Sequence, residues 1–492
     1  MGARAREAWR PTRQACPLIA SRSDCGSELQ CGRNVRGTSR LGVRRTAFRT
    51  ATVLALPTTI TTRKERAGIF SAARHKRFRP LWAASILSCV SYMTALTACG
   101  WMAFDLHHHS STVGLVVFAS FLPSLVITPF AGVFADRYDR RTMLLAMNAI
   151  GLLSTLGLAW VAWAGEQSPW PLAAASFVLG AARSSSTPLE QAMLGSLVPA
   201  RDLLNAVSLL QANLNGARLL GPLLAAPLLH VGGGAGAFLV AATLFALAFW
   251  AIWRLGEVPH QRSGSDHNPL PQFAQGVRYV FHAPAVCSVI TLVFLHCAFT
   301  MGYDAALPRR ASDVLGASGT AYSLLMMAIG GGSLAGGFLL AGFARRVHFG
   351  YLFFATSILS GLTLVPLGYA VSWPGALLAA GAVGLTQSVF IALATTLLQI
   401  ATPDHVRGRV LGLYWGLTGG VMAISNLATG RLADELGAGL TLALPGLAFG
   451  AVTVLTLCAP TLREIYGSRL AMTAVPSAIG TPRAPGWESR PS

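Results

Sequence analysis

Charge is scarce in this chain. Only 12% of its 492 residues are Asp, Glu, Lys or Arg and 53% are hydrophobic; the charged share is about half that of a soluble globular domain, which excludes a soluble fold. Acids are scarcer still, 19 against 38 Lys and Arg. The formal charge of +19 would suit a nucleic-acid binder, but 18 of the basic residues and only four of the acids lie in residues 1–79. Residues 80–492 are left with +5, so no basic face remains for a polyanion. Cysteine is sparse and unpatterned: Cys16, Cys25 and Cys31 have eight and five residues between them, while Cys89, Cys99, Cys287, Cys297 and Cys458 fall in apolar runs. That is neither a disulfide framework nor a zinc spacing. The consecutive His107, His108 and His109 cannot all turn their rings to one ion from a regular element, so no metal is expected. No phosphate-binding glycine loop and no nucleophile–base pair is legible, so neither an enzyme nor a cofactor is expected.

What the chain has in abundance is apolar runs of membrane-spanning length. They predict an all-α membrane protein with twelve transmembrane helices, over roughly 81–105, 113–135, 142–164, 171–194, 203–229, 234–254, 283–306, 318–342, 349–370, 374–398, 408–430 and 437–459. Lys and Arg favour the cytoplasmic side. With the N-terminus inside, internal loops carry 11 arginines and external loops three, Arg309, Arg310 and Arg431, so both termini are expected in the cytoplasm.

The predicted organisation is a basic, disordered tail over 1–79, a six-helix half over 80–255, a polar cytoplasmic linker over 256–282, a second six-helix half over 283–460 and a disordered tail over 461–492. The first tail also fits a transit peptide or an upstream start-site extension. Val198-Pro199-Ala200-Arg201-Asp202 is echoed by Thr402-Pro403-Asp404-His405, and Ala131-Gly132-Val133-Phe134-Ala135 by Ala341-Gly342-Phe343-Ala344. Such echoes point to two pseudo-symmetric halves with a site between them, the plan of a transporter.

After the second span come Gly132, Asp136, Arg137, Asp139, Arg140 and Arg141. This loop resembles the signature loop of the major facilitator superfamily, with Asp139 where that family has glycine, which calls for an Asp in left-handed geometry. The resemblance implies that Asp136 belongs to a latch closing the cytoplasmic side. Gly221-Pro222 in the fifth span resembles the family's antiporter motif, which favours export, although Ala225 and Ala226 replace its trailing glycines. Pro188, Glu190, Pro199, Asn205, Arg218 and Gly221-Pro222 resemble the enterobactin-exporter and macrolide-efflux branch of drug and siderophore exporters. That likeness covers about residues 70–460 and implies secondary active, proton-driven export.

Charges inside a membrane cost about 2.5–3.5 kcal/mol each on insertion scales and are functional candidates by default. Arg183 and Glu190 are seven residues apart, two turns on one helix face. Arg183 and Arg218, at similar depth on adjacent helices, are candidates with Glu190 for binding an anionic group or for charge pairing. A proton carrier needs a buried carboxylate, and Asp304, Glu190 and Asp105 are the candidates; Asp304 reads equally well as a surface partner of Arg309. The glycines Gly330, Gly331, Gly332, Gly336 and Gly337 read as a packing surface.

The expected activity is alternating-access export of a small amphipathic compound from a bacterial cell, across its inner membrane. The expected partners are the bilayer, the small-molecule substrate and protons, with the chain monomeric and binding no nucleic acid. A solute uptake symporter, and a receptor or assembly factor that moves no solute, are the rival readings.

Overall fold

The computed structural model describes residues 71–137, 139–165, 168–231, 233–256, 269–315, 318–343 and 348–467, all within one of the chain's two units, Glu65–Ser492. Every regular element among them is helical. A 3-10 turn, Ala72–Arg74, leads into α1 (Phe78–His107), α2 (Ser110–Arg137), α3 (Arg140–Trp163), α4 (Trp170–Leu197), α5 (Ala200–Val231) and α6 (Gly233–Arg254). Then follow α7 (Pro269–His282), α8 (Pro284–Thr300), α9 (Tyr303–Leu315) and α10 (Gly319–Phe343). The last are α11 (Phe349–Leu362), α12 (Leu364–Tyr369), α13 (Trp373–Ala401), α14 (Asp404–Leu455) and α15 (Pro460–Gly467).

Nine helical stretches among the described residues are long and apolar enough to cross a membrane. They leave out α4 and α5, which have the length but carry Arg183 and Glu190, or Asp202, Asn213 and Arg218. The stretch Val406–Cys458 is a single one of the nine. Exposed tryptophans mark both rims: Trp160, Trp163 and Trp170 at the turn between α3 and α4, Trp250 and Trp253 at the end of α6. This is where amphipathic rings meet lipid headgroups.

Two of the expected spans and one expected loop differ in detail. Residues 283–306 are not one helix, because α8 stops at Thr300 and α9 starts at Tyr303. The backbone groups freed by this break are satisfied from α14: Asn426 Nδ2 donates to the Met301 carbonyl at 3.1 Å and Asn426 Oδ1 accepts the Ala305 N–H at 3.1 Å. A membrane interior tolerates a broken helix only with such partners. Asn426→Leu strips both, at about 1–3 kcal/mol per buried group, so the unfolding midpoint in detergent is expected to fall by several degrees; an unchanged midpoint would mean the break is supported elsewhere. Residues 349–370 divide at Thr363 into α11 and α12. The loop expected after residue 430 contracts to one non-helical residue inside α14, Gly437, whose φ of 80° suits glycine.

Two segments read as linker and tail contain helices. Residues 269–282 form α7, whose Tyr279 hydroxyl donates to the Ala401 carbonyl at 3.4 Å and whose Gln275 accepts a hydrogen bond from Arg409; residues 257–268 lie outside the described residues. Helix α15 buries Leu462, Ile465 and Tyr466, with Tyr466 hydroxyl and Thr456 Oγ1 2.9 Å apart. The loop between α2 and α3 also differs. Asp139 is not left-handed; at φ −62°, ψ 116° it caps α3, accepting the Thr142 N–H at 2.9 Å.

Helix α1 packs on α5 and α6, α2 on α4, and α3 on α4 and α6; α10 packs on α13, and α14 on α8, α9, α11 and α12. The two groups meet along α2–α14 and α5–α10. At the end of the bundle holding the α1–α2 turn, the groups are bonded: Thr320 Oγ1 donates to the Ala226 carbonyl at 3.3 Å, and Asp434 of α14 accepts from the first residues of α2. At the opposite end, Val207 of α5 and Phe338 and Leu339 of α10 are exposed.

Candidate functional site

Helix α1 supplies a polar stripe, Ser85, Ser88, Ser91, Tyr92, Thr94 and Thr97, all buried. Two charge pairs lie along it. The first belongs to α4, where the seven-residue spacing puts Arg183 and Glu190 together, Nη1 to Oε1 3.7 Å, with side chains 15% and 7% exposed. Glu190 Oε2 also accepts a 2.7 Å hydrogen bond from Ser85 Oγ. Arg183 Nη1 and Asn148 Oδ1 are buried without a hydrogen bond among the described residues and line one small cavity with Tyr92, Leu179 and Phe245. This cavity lies among α1, α3, α4 and α6, and its lining includes Arg183 but no residue of α5.

The second set of charges, Arg218 and Asp304, comes from both helix groups. Arg218 on α5 is exposed and acts electrostatically on Asp304 and Tyr303 of α9. Asp304 is half-buried, and neither it nor Arg218 has a hydrogen-bond or ion-pair partner among the described residues. Two buried aromatic rings, Tyr303 and Tyr322, are within electrostatic reach of Asp304, and Trp101 stacks on Tyr322 with centroids 6.4 Å apart at 28°. Tyr92 lines the Arg183 cavity and is within electrostatic reach of both Arg183 and Asp304. Sequence reasoning missed Tyr92, although its place in the Ser/Thr stripe of α1 was a usable signal.

The Gly221-Pro222 motif places Arg218. Proline has no N–H, so Pro222 leaves the Arg218 carbonyl, four residues earlier, without its helical donor. Gly330 of α10 packs its backbone on that carbonyl, where any side chain would collide. Gly221 is pressed as closely on Met93 of α1, and Thr94 Oγ1 donates to the Gly221 carbonyl at 3.3 Å.

The remaining sequence candidates scatter. Asp304 is not the partner of Arg309, which is 3.3 Å from Asp434. Asp105 is exposed at the end of α1. Arg140 Nη1 donates to the Ala192 carbonyl of α4 at 2.8 Å, and Arg141 Nη2 donates to the Trp253 carbonyl in the last turn of α6 at 2.7 Å, where it caps that helix end. Gly132, Asp136 and Arg137 fall in the last turns of α2, where the side chains lie outside the described residues. The three histidines diverge, the His108 ring edge-on to Phe104 and His109 3.8 Å from Asp434.

A bundle of membrane helices in two groups, with opposite charges on both within electrostatic reach, fits a transporter of the major facilitator type. Over residues 67–473 the chain belongs to the family of transmembrane secretion effectors in that superfamily. It is 25% identical over 403 residues to the multidrug efflux pump Tap of Mycobacterium tuberculosis, covering 78% of this chain and 93% of that protein. It is 24% identical over 340 residues to the enterobactin exporter EntS of Shigella flexneri, covering 69% and 81%. The nucleoside transporter NupG shares the fold, with a TM-score of 0.62 at 12% identity over 80% of this chain and 100% of that one. The protein is a multi-pass membrane transporter of small molecules and not an enzyme.

Proposed function

We propose that the protein exports a small amphipathic compound across a bacterial inner membrane by alternating access, driven by protons. Its twelve spans are the nine apolar stretches together with α4 and α5, with α14 counted twice on either side of Gly437. They form two six-helix halves, α1–α6 and α8–α14. Arg140, Arg141, Arg201, Arg254, Arg278, Arg407 and Arg409 gather at the end away from the α1–α2 turn, which makes that end cytoplasmic. Two of the three arginines against this orientation are engaged, Arg309 with Asp434, and Arg310 with the Leu367 carbonyl at 3.0 Å and the Ala370 carbonyl, while Arg431 is exposed. The bonded end is then the outer one, and the protein faces the cytoplasm.

The observation that carries the reading is that Arg218 and Asp304, on different helix groups and without an ion-pair partner among the described residues, lie within electrostatic reach of each other and of Tyr303. Arg218 would orient the polar end of a substrate and the rings would hold its apolar body. Asp304 would take up a proton when the cavity faces outward and release it inside, favouring a different state in each form. Export, as opposed to uptake, is supported by the efflux pumps among the relatives.

The test is accumulation of hydrophobic drugs and catecholate siderophores in cells expressing the protein, with and without a protonophore. At least one compound is expected to accumulate severalfold less, and the protonophore to abolish the difference. Unchanged accumulation of every compound, with the protein correctly inserted, would sink the exporter reading.

A further inference from the structure

Helix α2 begins without a cap of its own. The N-terminal turn of a helix leaves backbone N–H groups unbonded, and the residue before Ser110 is His109, which follows the left-handed His108 at φ 53°. Ser110 Oγ is itself buried without a hydrogen bond. The cap comes from a residue 324 positions away: Asp434 Oδ1 accepts the Ser110 N–H at 2.7 Å and Oδ2 the Ser111 N–H at 2.9 Å. Arg309 Nη1 of α9 is 3.3 Å from Oδ1 and His109 Nδ1 is 3.8 Å from Oδ2, while the Asp434 side chain is 17% exposed. On its own helix, Arg431 and Glu435 are exposed.

One carboxylate thus joins the first half, through the positive end of α2, to both α9 and α14 of the second. Burial alone would raise the Asp434 carboxyl, but hydrogen bonds from Ser111 and Ser110 and the charge of His109 outweigh it and hold this group, between the last two spans, below its ordinary value. A carboxyl lowered on closure favours the closed end above its ordinary value of about 4, and that contribution is lost only as pH falls through the lowered value. Asp434 therefore stays charged near neutral pH and is not a proton carrier. Just inside it, Gly114 of α2 and Gly430 of α14 bring the two backbones into contact.

We propose that Asp434 is the gating residue of the outer end, a lock made only while that end is closed and broken in every transport cycle. The inference rests on the alternating-access reading. Hydrogen bonds weaken steeply with distance and angle, so a small separation of α2 from α14 loses both N–H bonds together and makes release abrupt.

The test is hydrogen–deuterium exchange on the full-length protein in lipid nanodiscs, comparing wild type, Asp434→Ala and Arg309→Gln. In Asp434→Ala the amides of residues 109–114 are expected to exchange at least tenfold faster, while segments 203–212 and 336–343 at the cytoplasmic end exchange more slowly as that end closes. Arg309→Gln, which keeps the cap, is expected to shift both ends the same way by a smaller factor and serves if Asp434→Ala does not fold. Unchanged protection at 109–114 would overturn the lock; so would faster exchange there with the cytoplasmic end unmoved, the mark of a merely local cap. Because exchange needs no substrate, coupled end movements without flux of any compound would fail the exporter reading alone, and flux with unmoved ends would fail the lock alone.

Discussion

Asp304→Asn is expected to abolish protonophore-sensitive export while leaving substrate binding intact. Asparagine keeps the size and polarity of the side chain but cannot exchange a proton, so both facing states see the neutral form permanently. The protonophore-sensitive component of efflux should fall at least tenfold, about 1.4 kcal/mol or more of lost driving effect. Counterflow of labelled substrate, which needs no proton gradient, should persist. Arg218→Ala is the complementary variant: it should weaken binding of an anionic substrate, while any residual flux stays sensitive to the protonophore because Asp304 is still present. If Asp304→Asn exports with undiminished protonophore sensitivity, the proton is carried elsewhere, and Glu190 becomes the next carboxylate to test.

Arg183→Met is expected to destabilise the protein by about 3–5 kcal/mol, the usual result of removing one partner of a buried pair. Glu190 would be left as a buried acid whose remaining bond is the one from Ser85. The double variant Arg183→Met with Glu190→Gln should recover most of that loss, because a neutral pair of similar volume carries no stranded charge. Thermal unfolding in detergent, run on both single variants and the double, measures the coupling directly. If Arg183→Met is as stable as wild type but inactive, Arg183 serves the substrate and not Glu190.

Much of the fold is legible in the sequence because a membrane span needs only length and apolarity. The breaks are not: nothing within residues 283–306 announces that the helix stops at Thr300, since the groups that make the stop tolerable come from Asn426, more than a hundred residues away. Helix α7 was hidden by the prolines and glycines before it, although Phe273, Val277, Val280 and Phe281 carry a helical spacing. The site was legible only as a set of charges. Sequence spacing pairs Arg183 with Glu190, because both lie on one helix, but cannot pair Arg309 with Asp434, which meet through packing between helices, or bring Arg218 within electrostatic reach of Asp304. Asp434 itself reads as an ordinary loop acid until the first turn of α2 is placed against it.

The contact between Gly330 and the carbonyl that Pro222 leaves free has a mechanical meaning. It lies well inside α5 and, in the proposed alternating access, is the fulcrum, because two backbones in contact can tilt but cannot come closer. Ala200, eighteen residues before Arg218, is about 27 Å along the helix from that point. Each degree of tilt moves the helix end by about 0.5 Å, and the far end swings the other way. A lever of this kind opens one mouth only by shutting the other, so a continuous leak through the protein requires the fulcrum itself to give way.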